Sequence, residues 1–273
     1  LYMLLGNFFV LRYLIRPDPA TDKYWHLLCA IPVLAGRFYA GWCGPARVAV
    51  LTLMVKSFYV PMLCSWAVNN IFHQTQLNHS FSWSFFKVNE YLVATCILID
   101  VAFFAVGYLT ELPQLKNQIR SVEPTLLGWV VCLMCYPPFN DFALTLADRP
   151  LNENWRGLAG ETGAHVATVS ITLLWIVYTA ATVALGLRSS NLTNRGIVAK
   201  GPYRFIRHPA YVSKVSLWIL SSMFLGEKNF YLILALITVY SLRAWTEERH
   251  LSCDPEYLEY KKKVPYVLIP GVI

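Results

Sequence analysis

Apolar residues run along this chain in long blocks separated by short polar stretches. After an opening block at 1–15 ("LYMLLGNFFVLRYLI") come blocks at 24–36, 46–68, 91–109, 125–139, 165–187, 212–226 and 230–245. A helix needs about 20 apolar residues to cross a bilayer, with roughly 17 as the lower end. The pattern therefore predicts an all-α, polytopic membrane bundle of seven or eight transmembrane helices. The block 24–36 is short and holds Pro32, which predicts a partial or re-entrant span. Residues 1–15 carry no small-residue cleavage site and read as a first helix rather than a signal peptide. Only "EKN" (227–229) separates the last two blocks, so a tight helical hairpin is expected there.

Composition agrees with that reading. Of 273 residues, 56% are hydrophobic and 14% charged, against roughly 25% charged in an average soluble domain. No internal repeat or low-complexity linker is visible, which implies one compact bundle. Basic residues then orient it. Arg188, Arg195, Lys200, Arg204 and Arg207 precede the hairpin, and Arg243, Arg249 and Lys261 to Lys263 follow it. Both ends of a hairpin lie on one side, and a Lys/Arg-rich side is cytoplasmic. Lys116 and Arg120 fall on that side too. The net charge of +7 thus reads as topology plus attraction to anionic headgroups, not as nucleic-acid binding.

Cys132 and Cys135 have C-x-x-C spacing, yet "WVVCLMCYPPF" offers no second pair and no His. They read as polarizable packing residues between helices. Sequons occur at Asn78 and Asn191, the second on the cytoplasmic side. Lys56 and Asp100 lie inside predicted spans, where a charge costs about 2.5–3.5 kcal/mol on insertion scales and so faces a partner or a watery cavity. Their opposite signs predict a Lys56–Asp100 pair. Pro61, in the same block as Lys56, predicts a kink.

The densest chemistry lies at 201–214, "GPYRFIRHPAYVSK", with Arg204, Arg207, His208 and Lys214 between two prolines. Pro209 restricts His208 to an extended or turn conformation, so a helix should begin at or just after Pro209. Its first turn can offer N–H groups and a positive dipole end to an anionic group. A second cluster follows at 242–266, "LRAWTEERHLSCDPEYLEYKKKVPY", where Arg243 and Glu247 share a helix face. The predicted hairpin returns Arg243 and Glu247 to the boundary from which His208 and Tyr211 depart. A polar pocket is expected there, with a carboxylate suited to a sulfonium or amino group and an arginine suited to a carboxylate.

"GPYRFIRHPAYVSK", "EERHL" and "EYLEYKKKVP" resemble the C-terminal region of the isoprenylcysteine carboxyl methyltransferases and their bacterial relatives. The resemblance covers roughly residues 190–270. It divides the chain into N-terminal transmembrane helices at 1–187 and a catalytic region at 188–273. It implies methyl transfer from S-adenosylmethionine without a soluble Rossmann domain. It also implies a cofactor site enclosed by a helical hairpin at the cytosolic face, and a lipid substrate entering from the bilayer. Carried over residue by residue, the cofactor contacts are Arg195, Gly196, Ile197 and Val198, then Tyr203, then His208, Pro209, Ala210 and Tyr211, and Glu247. Arg243 holds the substrate carboxylate, and Arg243 and Glu247 are the catalytic pair. The family often has His where this chain has Arg195. No metal, nucleic acid or obligate protein partner is implied. The membrane is a bacterial inner membrane or the endoplasmic reticulum, with the site facing the cytoplasm.

Methyl transfer from a sulfonium is an in-line displacement, and a carboxylate is an adequate nucleophile at neutral pH. Catalysis is then largely orientation and exclusion of water. Competing readings are a phospholipid or amine N-methyltransferase, a nicotinamide-dependent sterol-type reductase, and a non-enzymatic lipid-binding protein. An amine acceptor would not need Arg243. The ending "VPYVLIPGVI" is similar to that of the reductases, but the motif reads His208-Pro209-Ala210-Tyr211.

Overall fold

The structure is a computed structural model that describes residues 23–27, 44–140, 151–222, 227–269 and 271. The predicted first helix at 1–15, most of the block 24–36 and residues 223–226 lie outside the described residues. Residues 23–27 are helical. The principal helices are α1 (Pro45–His79), α2 (Phe85–Leu109), α3 (Leu126–Leu133), α4 (Leu151–Leu185), α5 (Pro209–Ser222), α6 (Glu227–Leu251) and α7 (Pro255–Lys263). The fold is nearly all-α. A two-residue antiparallel pairing joins β1 (Ser121–Val122) to β2 (Thr193–Asn194), with Ser121 opposite Asn194.

Among the described residues, three helical segments are long and apolar enough to cross a membrane: Pro45–His79, Phe85–Leu109 and Trp155–Arg188. α1, at 35 residues, extends about 52 Å, well beyond a hydrocarbon core of roughly 30 Å. It runs on through Pro61 without ending there. Ser84 caps α2 by accepting from Lys87 N. α4 carries non-helical backbone at Ala159 and at Gly160, whose φ of 66° lies in the region that glycine occupies without penalty. The apolar part of α4 follows that break.

Two expectations are corrected here. The block 125–139 does not form a span. α3 has 8 residues, about 12 Å of helix, and then turns ahead of the prolines at 137 and 138. Thr125 caps it, accepting from Gly128 N at 3.3 Å. The residues "EKN" do not form the turn between the last two blocks either, because α6 already begins at Glu227.

The helices pack in sequence: α1 on α2, α2 on α4, α4 on α5, α5 on α6, and α6 on α3. Their main core is rich in tyrosine. The Tyr59 and Tyr108 rings stack at 5.3 Å, and Tyr136 meets Tyr59 edge-on at 5.2 Å. Aromatic pairs of this kind add about 0.5–1.5 kcal/mol beyond burial. Tyr59 Oη lies 3.2 Å from Cys132 Sγ, and Cys132 and Cys135 are both buried in this core. A second, smaller core of Ala181, Tyr203, Tyr257, Tyr260 and Val264 docks α7 beside the end of α4.

The intramembrane charges pair differently from expectation. Lys56 Nζ lies 3.0 Å from Glu111 Oε2, not against Asp100. Glu111 follows the end of α2 and is also held by Lys23, by Tyr24 Oη at 2.9 Å and by the Ile119 N–H at 3.0 Å. These cations and donors hold its carboxyl well below the usual range, overcoming the opposing effect of burial, which is the largest single influence. Asp100 instead accepts from Thr182 Oγ1 across the α2–α4 contact. The segment after α2 folds back along the first turns of α1, with Arg47 Nη2 3.5 Å from the Pro124 carbonyl. That fold-back brings a carboxylate to Lys56.

Candidate active site

α5 begins at Pro209, as the restriction on His208 requires. The residues just before it are fixed by the tail, since Arg207 N donates to Tyr266 O at 2.9 Å and His208 N to Val267 O at 3.0 Å. These bonds place His208 and Tyr211 against α6, and the two polar clusters meet. Tyr211 Oη donates to Glu247 Oε2, and His208 Nε2 lies 3.1 Å from Glu248 Oε1. The His208 and Tyr211 rings stack at 5.1 Å with an interplanar angle of 8°.

Consecutive glutamates on a helix point about 100° apart, and here they do different things. Glu248 turns toward the tail. Its carboxylate lies 3.2 Å from Arg207 Nε and 3.3 Å from Lys261 Nζ, and it accepts from Tyr257 Oη. It ties α5, α6 and α7 together. Glu247 turns the other way, into an open cavity.

That cavity gathers most of the predicted site. Arg195, Gly196, Ile197 and Val198 form one side, and Tyr203, His208, Ala210 and Tyr211 another, with Arg243 and Glu247 on α6. Pro209 is fully buried and does not line it. Tyr257 and Tyr260 reach the cavity from α7, and Tyr260 Oη donates to Tyr203 O at 2.6 Å. Burial pushes the Tyr260 phenol up to about 12 and the Tyr203 phenol higher still. Both are neutral donors at any ordinary pH.

The loop from Gly186 to Val198 is held by close backbone contacts. A Cβ at Gly107 would come 2.9 Å from Leu187 O, so α2 can approach this loop only with glycine there. Arg195 Nη1 donates to Gly107 O, and its guanidinium lies 4.9 Å from the Tyr108 ring centroid. Its Nε and Nη2 are buried with no hydrogen-bond partner. Burial lowers the pKa of this group, since a cation without water is disfavoured. A buried donor left unmade costs about 1–3 kcal/mol, so this guanidinium suits an anionic or carbonyl ligand at the loop.

Arg243 is buried and donates from Nη2 to Asn191 Oδ1, which also accepts from Tyr136 Oη at 3.1 Å. Its guanidinium lies 5.0 Å from the Tyr211 ring centroid and 5.5 Å from that of Tyr136. Sequence reasoning missed Asn191, Tyr136 and Glu248. The sequon at Asn191 hid its role as the acceptor that sets Arg243. The only hint of Glu248 was its place beside Glu247. Among the described residues no group of three or more His, Cys, Asp or Glu could hold a metal ion.

A helical fold with segments apolar enough to cross a membrane thus carries a carboxylate and an arginine in one cavity at the α5–α6 contact. The model of the isoprenylcysteine carboxyl methyltransferase (ICMT) family matches residues 164–253. The matched region runs from the apolar part of α4 to the end of α6, and every predicted site residue falls within it. No curated protein and no solved structure matches the chain.

Proposed function

We propose that this protein is an integral membrane methyltransferase that moves a methyl group from S-adenosylmethionine to the carboxylate of a lipophilic acceptor. A prenylcysteine-like or isoprenoid acid is the acceptor class. The carrying observation is that Glu247 and Arg243 line one cavity while held by different partners, Tyr211 and Asn191. The family match supports the methyl-transfer class.

The residues present fit the cofactor. Glu247 offers a carboxylate to a cationic donor, and the unpartnered Nε and Nη2 of Arg195 offer donors to its acidic end. Gly196 to Val198, Tyr203, His208, Ala210 and Tyr211 supply the walls, with Pro209 setting the start of α5 rather than touching ligand. When bound, S-adenosylmethionine supplies an electrophilic methyl group on a sulfonium. Glu247 orients the donor, and Arg243 aligns the acceptor carboxylate. The tail tyrosines 257 and 260 exclude water, which strengthens both charge contacts. No general base is needed for a carboxylate.

In this reading α5 and α6 form a hairpin, and the cavity faces the cytoplasm with the acceptor entering from lipid. The test combines two measurements. Calorimetry should show binding of S-adenosylhomocysteine and not of reduced nicotinamide nucleotide. Tritium from labelled S-adenosylmethionine should enter membrane lipid or protein as base-labile, volatile label. Stable label would mark an N- or C-methyl product, and nicotinamide binding alone would overturn the reading.

A further inference from the structure

The cavity contains a cation that this reading leaves unused. Lys214 lies on α5 one turn beyond Tyr211 and lines the same wall. Its Nζ stands 5.6 Å from the Tyr136 ring centroid and 5.9 Å from that of Tyr178. The Arg243 guanidinium stands 5.5 Å from the same Tyr136 ring. Two cations therefore share one tyrosine and act on each other electrostatically.

Neither cation is neutralised by direct contact among the described residues. Among the described residues no carboxylate oxygen lies within 4.0 Å of Lys214 Nζ or of the Arg243 guanidinium. Glu247, one turn along from Arg243, is engaged by Tyr211. Asp100, which reaches Lys214 electrostatically from α2, is engaged by Thr182 and Tyr178. Aromatic faces attract a cation modestly and carry no net charge. Two like charges facing one partly enclosed cavity, with no carboxylate of the described residues between them, repel each other, and an entering anion relieves that repulsion.

We propose that Lys214 and Arg243 form a two-cation clamp for the acceptor's acidic head, one cation on each carboxylate oxygen, and that Lys214 sets the preference for an acid over a neutral or amine head group. The identity of the acceptor rests on the methyltransferase reading; the anion subsite rests on the geometry alone. A carboxylate has two oxygens to satisfy, and Arg243 already spends one nitrogen on Asn191, so a second cation completes the contact. An ammonium head would meet two positive charges and be rejected, which is specificity by repulsion.

The test uses the full chain in detergent and two probes, N-acetyl-S-farnesylcysteine and its uncharged carboxamide. Binding of each is measured calorimetrically for the unaltered protein, Lys214→Met, Lys214→Gln and Lys214→Arg, with S-adenosylhomocysteine as a third ligand. The unaltered protein should prefer the acid by roughly ten- to a hundredfold, the range of one or two charge-assisted hydrogen bonds. Lys214→Met and Lys214→Gln should each cut that ratio about tenfold with carboxamide and S-adenosylhomocysteine affinities unchanged, and Lys214→Arg should restore most of it. The ratio compares two ligands on one protein, so a general loss of stability does not move it. An unchanged ratio overturns the clamp, as does failure of the unaltered protein to prefer the acid. A parallel fall in S-adenosylhomocysteine affinity overturns it too, by placing Lys214 on the donor. Methyl transfer is read separately: acid preference without transfer sinks the enzymatic reading alone, and transfer without acid preference sinks the clamp alone.

Discussion

Arg243 and Glu247 stand four residues apart on α6 and do not pair with each other. Arg243 donates to Asn191, and Glu247 accepts from Tyr211. Helical neighbours of opposite charge ordinarily find each other at this spacing. Here a partner on another element holds each of them, so both heads stay separate in the cavity. Two separately held charges can serve two ligands.

That separation predicts two distinct defects. Glu247→Gln removes the charge complementary to a cationic donor, so S-adenosylmethionine affinity, measured without acceptor, should fall roughly ten- to a hundredfold, the equivalent of about 1.5–3 kcal/mol. Arg243→Lys keeps a charge but loses the fork that spans Asn191 and the acceptor. It should spare S-adenosylmethionine affinity while methyl transfer drops at least tenfold. Equal loss of cofactor affinity in both variants, measured in one detergent, would remove the division of roles.

Glu248 should behave differently from its neighbour. Its carboxylate is the shared partner of Arg207, His208, Lys261 and Tyr257. Glu248→Gln leaves buried Arg207 without its counter-charge, and breaking a buried pair costs about 3–5 kcal/mol. The thermal midpoint in detergent should fall by several degrees, and limited proteolysis should release the tail after α6 first. A variant as stable as the parent would show that Glu248 is not the hub that holds α7.

Much of this site was legible in the chain, and the reasons are local. Pro209 dictates where α5 begins, and the basic, tyrosine-rich stretches on both sides of the last two apolar blocks must meet if those blocks pack together. What could not be read is which of two adjacent glutamates faces the cavity. That depends on the rotation of α6 about its axis, set by Tyr211 on one side and by Arg207 and Tyr257 on the other. The role of Asn191 was hidden for the same reason, since its partners lie 52 and 55 residues away. Block length misled at 125–139, where adjacent prolines and a short cap-to-turn distance stop α3. Opposite charge misled at Lys56, because the competing partner lay in a polar connection that the hydropathy pattern leaves unplaced.

The Lys56 correction yields a coupling test. Lys56 meets Glu111 at 3.0 Å, while Asp100 is bound by Thr182. Residues in one ion-pair network show interaction energies of about 0.5–3 kcal/mol in a double-mutant cycle, and independent sites add within roughly 0.5 kcal/mol. The cycle Lys56→Met with Glu111→Gln should therefore show clear coupling, and the cycle Lys56→Met with Asp100→Asn should be additive. Chemical unfolding in a single detergent measures both. Coupling confined to the Asp100 cycle would return the pair to its sequence-based partner.

The same cluster makes stability depend on pH in a stated direction. Glu111 is held well below the ordinary carboxylate range by Lys56, Lys23 and hydrogen bonds from Lys23 and Ile119, against its burial. A folded-state pKa depressed below the unfolded value, about 4.3 for Glu, means that the unfolded chain takes up the proton first as pH falls. The stabilisation is then fully present above that value and is lost progressively as pH drops below it toward the folded-state pKa. Thermal midpoints measured from pH 7 down to pH 3 should be level at first and decline below about pH 4.5. Glu111→Gln should start lower at pH 7, because Lys23 and Lys56 lose their shared counter-charge, and should decline less across the acid range. The two curves should converge as pH falls. Parallel curves would show that Glu111 does not carry the acid dependence, and a variant equal to the parent at pH 7 would show that the Lys23–Glu111–Lys56 cluster contributes nothing to the fold.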